Sequence, residues 1–305
     1  MIATDAELVI CASLSPCSPV NTKKITMLYD SILLENAKHN LAQAKEHYIA
    51  VPSAVLMAQL KRICIKHHLK NVILIPSGYP KLDYAIKNFK SNRSTGVLYM
   101  LYAPTEFAEK SADDLDGAFS IFKAKAIILQ LLNANPSLNI IFRPYPDDLS
   151  RYKLKQNTPA YDSMNDLMQM CNTHSRVHLD NNKTHQQSYE KAEVLLTDIS
   201  STAFSFAFTV KKPVIFLSNS VIENSPTWQS TQYMKDRPQI GIVVTRLTDM
   251  SKSVQTLLAN LEQYTHQITM LRKSNVYNLG NSESYIMKSV QNILDGKSMP
   301  NWWSL

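Results

Sequence analysis

Apolar residues in this chain come in short continuous runs, and polar or turn-forming residues close each run. The runs "ELVICAS", "KITMLY", "HYIAV", "NVILIPS", "GVLYMLYA", "LNIIFRPY", "RVHLD", "EVLLTD", "PVIFLS" and "GIVVTRL" have the length and β-branched content of strands. A run that is apolar at every position, rather than at alternate ones, suits a strand covered on both faces. Between the runs, apolar positions take a helical spacing. This predicts helices over residues 54–68, 118–133, 160–172, 184–191, 201–209, 250–273 and 282–294. Strands alternating with helices predict parallel sheets layered by helices, an α/β fold. The polar stretch "NFKSNRSTG" at residues 88–96 ends in glycine and reads as a linker, giving domains over 1–90 and 91–305.

Composition narrows the function classes. With 45% hydrophobic and 19% charged residues the chain can bury real cores. No apolar stretch approaches the roughly 18 residues of a membrane span. No basic stretch precedes the first apolar run, so it does not read as a signal peptide, and a cytoplasmic location is expected. Cys11, Cys17, Cys64 and Cys171 form no CxxC and read as scattered thiols. The formal charge is +7, but the bases are dispersed and accompany no nucleic-acid motif, so no nucleic-acid partner is expected. Such charge suits an anionic small molecule or an anionic membrane leaflet, and most of these lysines serve equally as solvated surface. No GxGxxG or GxxxxGK[ST] occurs, which argues against dinucleotide and P-loop sites. His174 and His178 are four apart, but "SRVHLD" reads as a strand, so they are expected to pack rather than bind metal.

Open α/β sheets bind ligands at the carboxyl ends of their strands. Four ends stand out: Ser77-Gly78-Tyr79-Pro80, Ala103-Pro104-Thr105, Arg143-Pro144-Tyr145-Pro146 and Thr197-Asp198-Ile199-Ser200-Ser201. A helix starting near Ser201 puts Ser200, Ser201 and Thr202 at its N-terminus, where free amides, the helix dipole and hydroxyls can receive an anion. Arg143 could clamp a phosphate in bidentate fashion. Taken singly, the same residues are equally an ordinary helix cap, a surface ion pair and, for Thr105, a turn residue.

These ends, in this order, resemble the CDP-glycerol glycerophosphotransferase family, of the teichoic-acid polymerase and primase type. "ILIPSGYPKLD" is similar to its Gly-Tyr-Pro-Arg-x-Asp segment, "VLYMLYAPT" to its strand ending in Ala-Pro-Thr, and "IIFRPYPDD" to its Arg-Pro-His-Pro motif. "LLTDISSTAFSFAFTVKKPVIF" is similar to its Thr-Asp-Tyr-Ser-Ser segment and the elements after it, and "NLGNSESYIMKSVQNIL" to its closing helix. The resemblance covers residues 70 to 295. It implies a GT-B arrangement: two Rossmann-like domains with parallel sheets, the N-terminal one reduced, and a C-terminal helix packing back across.

The resemblance further implies transfer of a glycerol- or ribitol-phosphate from a CDP-activated donor to a surface-polysaccharide or lipid-linked acceptor. CMP is released, and neither a cofactor nor a chelated metal takes part. Arg143 would neutralise phosphate charge. Thr105, Asp198, Ser200, Ser201 and Thr202 would hold the donor phosphates, and Gly78, Tyr79 and Pro80 would shape the nucleotide face. Tyr145 stands where the family has a histidine after Arg-Pro, and Asp30-Ser31 stands where His-Ser is expected. Asp30 is then the candidate base and Tyr145 a hydrogen-bond donor. Two other readings accompany this one. One is a GT-B glycosyltransferase using a nucleotide sugar for capsule or lipopolysaccharide. The other is a non-catalytic member of a polysaccharide-assembly complex, which the two replaced histidines favour. A lipid-linked acceptor implies peripheral attachment to the cytoplasmic face of the inner membrane. The candidate surfaces are "LKRICIKHHLK" at residues 60–70 and the Trp302-Trp303 pair, although Leu60, Ile63, Cys64 and Leu69 equally suit packing on their own sheet.

Overall fold

Each of the ten apolar runs forms a strand: β1 Leu8–Cys11, β2 Lys23–Met27, β3 His47–Val51, β4 Val72–Pro76, β5 Leu98–Tyr102, β6 Leu138–Phe142, β7 Val177–Leu179, β8 Val194–Thr197, β9 Val214–Leu217 and β10 Gly241–Val244. An eleventh, β11 Trp303–Ser304, lies in the tail. The computed structural model describes residues 6–12, 14, 22–28, 41, 46–90, 96–107 and 120–305. Among them the helices are α1 Ala54–Lys66, α2 Pro80–Asn88, α3 Ile121–Ala134, α4 Asp148–Lys153, α5 Pro159–Thr173, α6 Gln186–Lys191, α7 Thr202–Val210, α8 Ser220–Glu223, α9 Pro226–Gln229, α10 Gln232–Ile240, α11 Leu247–Ala259, α12 Leu261–Asn275 and α13 Ser282–Leu294.

The chain divides into two compact units, Met1–Lys87 with Leu271–Leu305, and Asn88–Met270. The first boundary coincides with the start of the expected linker, whose residues 91–95 lie outside the described set. The second differs from the expected domains: residues 271–305 join the N-terminal sheet instead of ending the second domain.

In the second unit six strands run parallel in the order β10-β9-β8-β5-β6-β7. β8 and β9 are buried at every position, as their unbroken apolar runs require. Ile121, Ala124, Ile127, Ile128, Leu131 and Leu132 recur at helical spacing on α3 and seal the core. Caps are local: the Ser120 hydroxyl accepts from Phe122 N, and that of Thr158 from Tyr161 N, with Pro159 opening α5. α7 ends on Lys211 in the left-handed region, two residues before Pro213. The expected helix over 250–273 is two, because the chain turns at Asn260 while the apolar pattern continues across it. β10 meets β9 so closely that a Cβ on Gly241 would lie 1.8 Å from Val214 O.

In the first unit β1-β2-β3-β4 are parallel in chain order, and β11 adds antiparallel to β4. Leu60, Ile63, Cys64 and Leu69 are buried in this unit's core, so the apolar stripe of the basic helix is not a membrane surface. Trp302 packs edge-on against Tyr48 at 5.8 Å, and Trp303 pairs with Leu74, so both tryptophans belong to the fold. No helix among the described residues is long and apolar enough to cross a membrane.

The Gly-Tyr-Pro motif ties the returning tail to this sheet. Gly78 has φ +82°, and a Cβ there would lie 2.3 Å from both Tyr277 O and Ser282 Oγ. Pro80 opens α2, whose Asp83 carboxylate accepts from Gly280 N at 2.7 Å and Ser282 N at 2.9 Å, capping α13.

Gly78→Ala is therefore expected to lose about 3 kcal/mol in urea unfolding, since strain and a backbone clash act together. Gly280→Ala, with φ +83° but open space around it, should lose only about 1 kcal/mol. Equal losses would show that the close approach of the tail at Gly78 is not what requires glycine.

Candidate functional site

The chain runs outward from β5 through β6 to β7, then returns to lay β8, β9 and β10 on the other side of β5. Strand order thus reverses between β5 and β8, so the connections leaving their carboxyl ends run in opposite directions at a topological switch point. Of the residues expected to act together, Thr105 follows β5, Arg143 follows β6, and Asp198 to Thr202 follow β8, so three adjacent strands deliver them to one edge.

Asp198 is 2% exposed, and its carboxylate is committed. Thr105 N donates to both of its oxygens at 3.1 Å, and Thr105 Oγ1 donates to Oδ2 at 2.5 Å. Thr197 Oγ1 donates to Ala103 O at 2.6 Å, a second tie between the same two strand ends. Burial pushes the Asp198 carboxyl up to about 6, against the Thr105 hydrogen bonds that favour its charged form. Asp198 and Thr105 thus tie the ends of β5 and β8 together, with the carboxylate and the Thr105 amide and hydroxyl spent on each other.

Ser200 is also turned inward. Its hydroxyl accepts from Thr202 N at 3.2 Å and so caps α7. Tyr233 on α10 grips the same residue: its hydroxyl accepts from Ser200 N at 2.9 Å and donates to Ser200 O at 3.0 Å. Tyr233 was not legible beforehand, because "QYMKDRPQI" is polar and contains Pro238. Ser201, by contrast, is exposed, and Thr202 is half-buried. Among the described residues neither hydroxyl makes a hydrogen bond. They stand at the N-terminus of a nine-residue helix, where the dipole is positive.

Arg143 donates from Nη1 to Asp180 Oδ2 at 2.8 Å and to Thr184 O at 3.3 Å. Its other guanidinium groups are uncommitted among the described residues. Burial pushes the Asp180 carboxyl up, but donors outweigh it: Ser188 Oγ, Asn182 N and Arg143 hold it below its usual value. Asp180 therefore stays charged and aims the guanidinium. Tyr145 is 40% exposed at the turn after β6. Asp148, fully buried, accepts from Phe107 N and Arg151 and fixes the segment after Thr105; burial raises its carboxyl to about 6. Gly78, Tyr79 and Pro80 belong to the first unit, where Gly78 and the start of α2 engage the tail. Asp30 lies outside the described residues. His174 Nδ1 accepts from Arg176 N, and His178 packs against Tyr99.

A family model described as CDP-Glycerol:Poly(glycerophosphate) glycerophosphotransferase matches residues 26–292. It favours neither the nucleotide-sugar nor the non-catalytic reading. Among solved structures, the wall teichoic acid polymerase TagF in one variant is similar over 95% of this chain and 73% of its own, with a TM-score of 0.59 at 15% identity. A second TagF structure is similar over 90% and 68%, with 0.55 at 14%. A protein assigned as a UDP-N-acetylglucosamine 2-epimerase from Listeria monocytogenes is similar over 91% and 70%, with 0.55 at 12%. At these identities the likeness is one of fold: two Rossmann-like α/β units, each on a sheet that is parallel apart from β11, as in GT-B proteins. No curated protein matches the sequence.

The raised Asp198 carboxyl has a pH signature. The folded chain keeps this proton up to about pH 6, whereas the unfolded chain releases it near 3.8. The contribution is therefore fully present below the unfolded value and is lost as pH rises through the folded one, by about 3 kcal/mol. In urea unfolding, Asp198→Asn should show a shallower fall in stability from pH 4 to pH 6.5 than the parent. Asp148 titrates in both proteins, so the difference isolates Asp198; parallel profiles would contradict the assignment.

Proposed function

The chain belongs to the CDP-glycerol:poly(glycerophosphate) glycerophosphotransferase family, a family of transferases, and we propose that it moves a glycerol- or ribitol-phosphate from a CDP-activated donor to a surface-polysaccharide or lipid-linked acceptor. One observation carries this: at the switch point of the second unit, α7 presents an N-terminus whose Ser201 and Thr202 hydroxyls are uncommitted among the described residues, with only the end of β5 between it and Arg143 of the same sheet. A donor diphosphate needs this set of charge-receiving groups.

In the reaction the acceptor hydroxyl oxygen attacks the phosphorus that bears the polyol. A new phosphorus–oxygen bond forms, and the bond from that phosphorus to the bridging oxygen breaks. The electron pair leaves with CMP, whose phosphate gains the charge. The positive end of the α7 dipole and the Ser201 and Thr202 hydroxyls would receive that developing charge, on a loop that Asp198, Thr105 and Tyr233 already hold. Arg143, aimed by Asp180, would offset the charge on the transferring phosphoryl. Tyr145 would add a hydrogen bond. Asp30 is the proposed base for the acceptor proton. No cofactor enters this scheme. A lipid-linked acceptor would bring the chain to the cytoplasmic face of a membrane.

The double variant Ser201→Ala/Thr202→Ala tests the site. Calorimetric titration should show CMP and CDP-glycerol binding about tenfold weaker, while thermal stability stays within about 0.5 kcal/mol because neither hydroxyl has a partner among the described residues. Unchanged affinity for both nucleotides would remove the α7 N-terminus from the donor site.

A further inference from the structure

The first unit contains a cavity of about 260 Å³, near the lower end of the ~300–1,000 Å³ typical of small-molecule sites. Its lining is Met57, Lys61, Pro76, Tyr277, Asn278, Asn301 and Trp303. The returning tail builds it: Trp303 pairs with Leu74 on β4, while Lys61 projects from α1 with its Nζ 5.5 Å from the centre of the Trp303 ring. Three of its features leave polar capacity facing the cavity. Lys61 has no carboxylate partner among the described residues, and no acidic side chain lines the cavity. Asn278 sits at φ +43° and spends its Nδ2 on Pro76 O at 2.6 Å, which leaves its side-chain oxygen as an acceptor at a fixed angle. Asn301 is exposed and adds a second carboxamide.

We propose that this cavity binds an anionic sugar, a pyranose or furanose carrying a phosphate. The indole face of Trp303 offers a flat apolar wall on which the C–H face of a sugar ring can lie. The two carboxamides can bond ring hydroxyls as donor and acceptor. The Lys61 ammonium, which rests over the same ring 5.5 Å from its centre, can swing from that contact to meet the phosphate as a point charge. A neutral apolar ligand would leave both amides and the ammonium unused, and a cationic one would face Lys61 with no compensating acid. The site lies wholly within the first unit, uses none of the residues assigned to the donor and does not rest on the transfer reading.

Calorimetric titration of the full chain with glucose 1-phosphate, glucose and inorganic phosphate tests this. Glucose 1-phosphate should bind, and the other two should bind at least about tenfold more weakly. Lys61→Gln should weaken glucose 1-phosphate about tenfold. Trp303→Ala should abolish binding and Trp303→Phe should retain it, the latter guarding against loss of the β11 pairing. A phosphorylated oligosaccharide, titrated in parallel, distinguishes a free sugar phosphate from the end of a glycan by which of the two binds more tightly. CMP affinity should not change in Lys61→Gln, so failure here and failure of the donor site are separate results. No binding of either phosphorylated ligand, or binding unaffected by Lys61→Gln and Trp303→Ala, would overturn the proposal.

Discussion

Asp198 places a carboxylate where water cannot reach it, and the geometry of the second unit depends on how that group is satisfied. Its two oxygens face the amide and hydroxyl of Thr105, a residue 93 positions earlier, at the junction of β5 and β8 where the strand order reverses. Burying a carboxylate is unfavourable, and the carboxyl raised to about 6 records it. The hydrogen bonds from Thr105 reduce that cost, and together with the Thr197 bond to Ala103 they hold the ends of β5 and β8 at fixed separation.

The residues next along the chain inherit that position. Ser200 is gripped on one side by its bond to Thr202 N and on the other by the Tyr233 hydroxyl, so α7 starts at a defined point and angle. Only then do the Ser201 and Thr202 hydroxyls stand at its N-terminus with no hydrogen bond among the described residues. Arg143 reaches the same edge by a parallel device: a buried acid, Asp180, kept charged by its donors, turns one guanidinium nitrogen inward and leaves the rest. In both cases an inward-facing carboxylate sets the direction of the outward-facing groups. This is how electrostatic preorganisation is built from ordinary side chains.

The first unit depends on a different closure. Its sheet is sequential and lacks a switch point among the described strands, and its edge strand β4 is covered by two residues of the tail. Gly78 and Asp83 receive that tail, the first by having no side chain, the second by capping α13. Gly78 and Pro80 of the Gly-Tyr-Pro motif serve this closure, and the same closure creates the cavity at Trp303.

Sequence alone determined the strands, the α/β class and the four strand ends, because each is a local property. A strand buried on both faces is an unbroken apolar run, and a run must stop where the chain turns into solvent. The family likeness was legible for the same reason, since its motifs are contiguous. Helix content in polar stretches was not: α10 carries a proline, and α2, α4, α8 and α9 are short. Tertiary structure alone decided which strand ends meet, that Asp198 and Thr105 bond each other, that Tyr233 buttresses Ser200, and where along the first sheet the returning tail pairs. Those outcomes are choices among distant partners. Local periodicity carries no record of which buried donor will satisfy which buried acceptor.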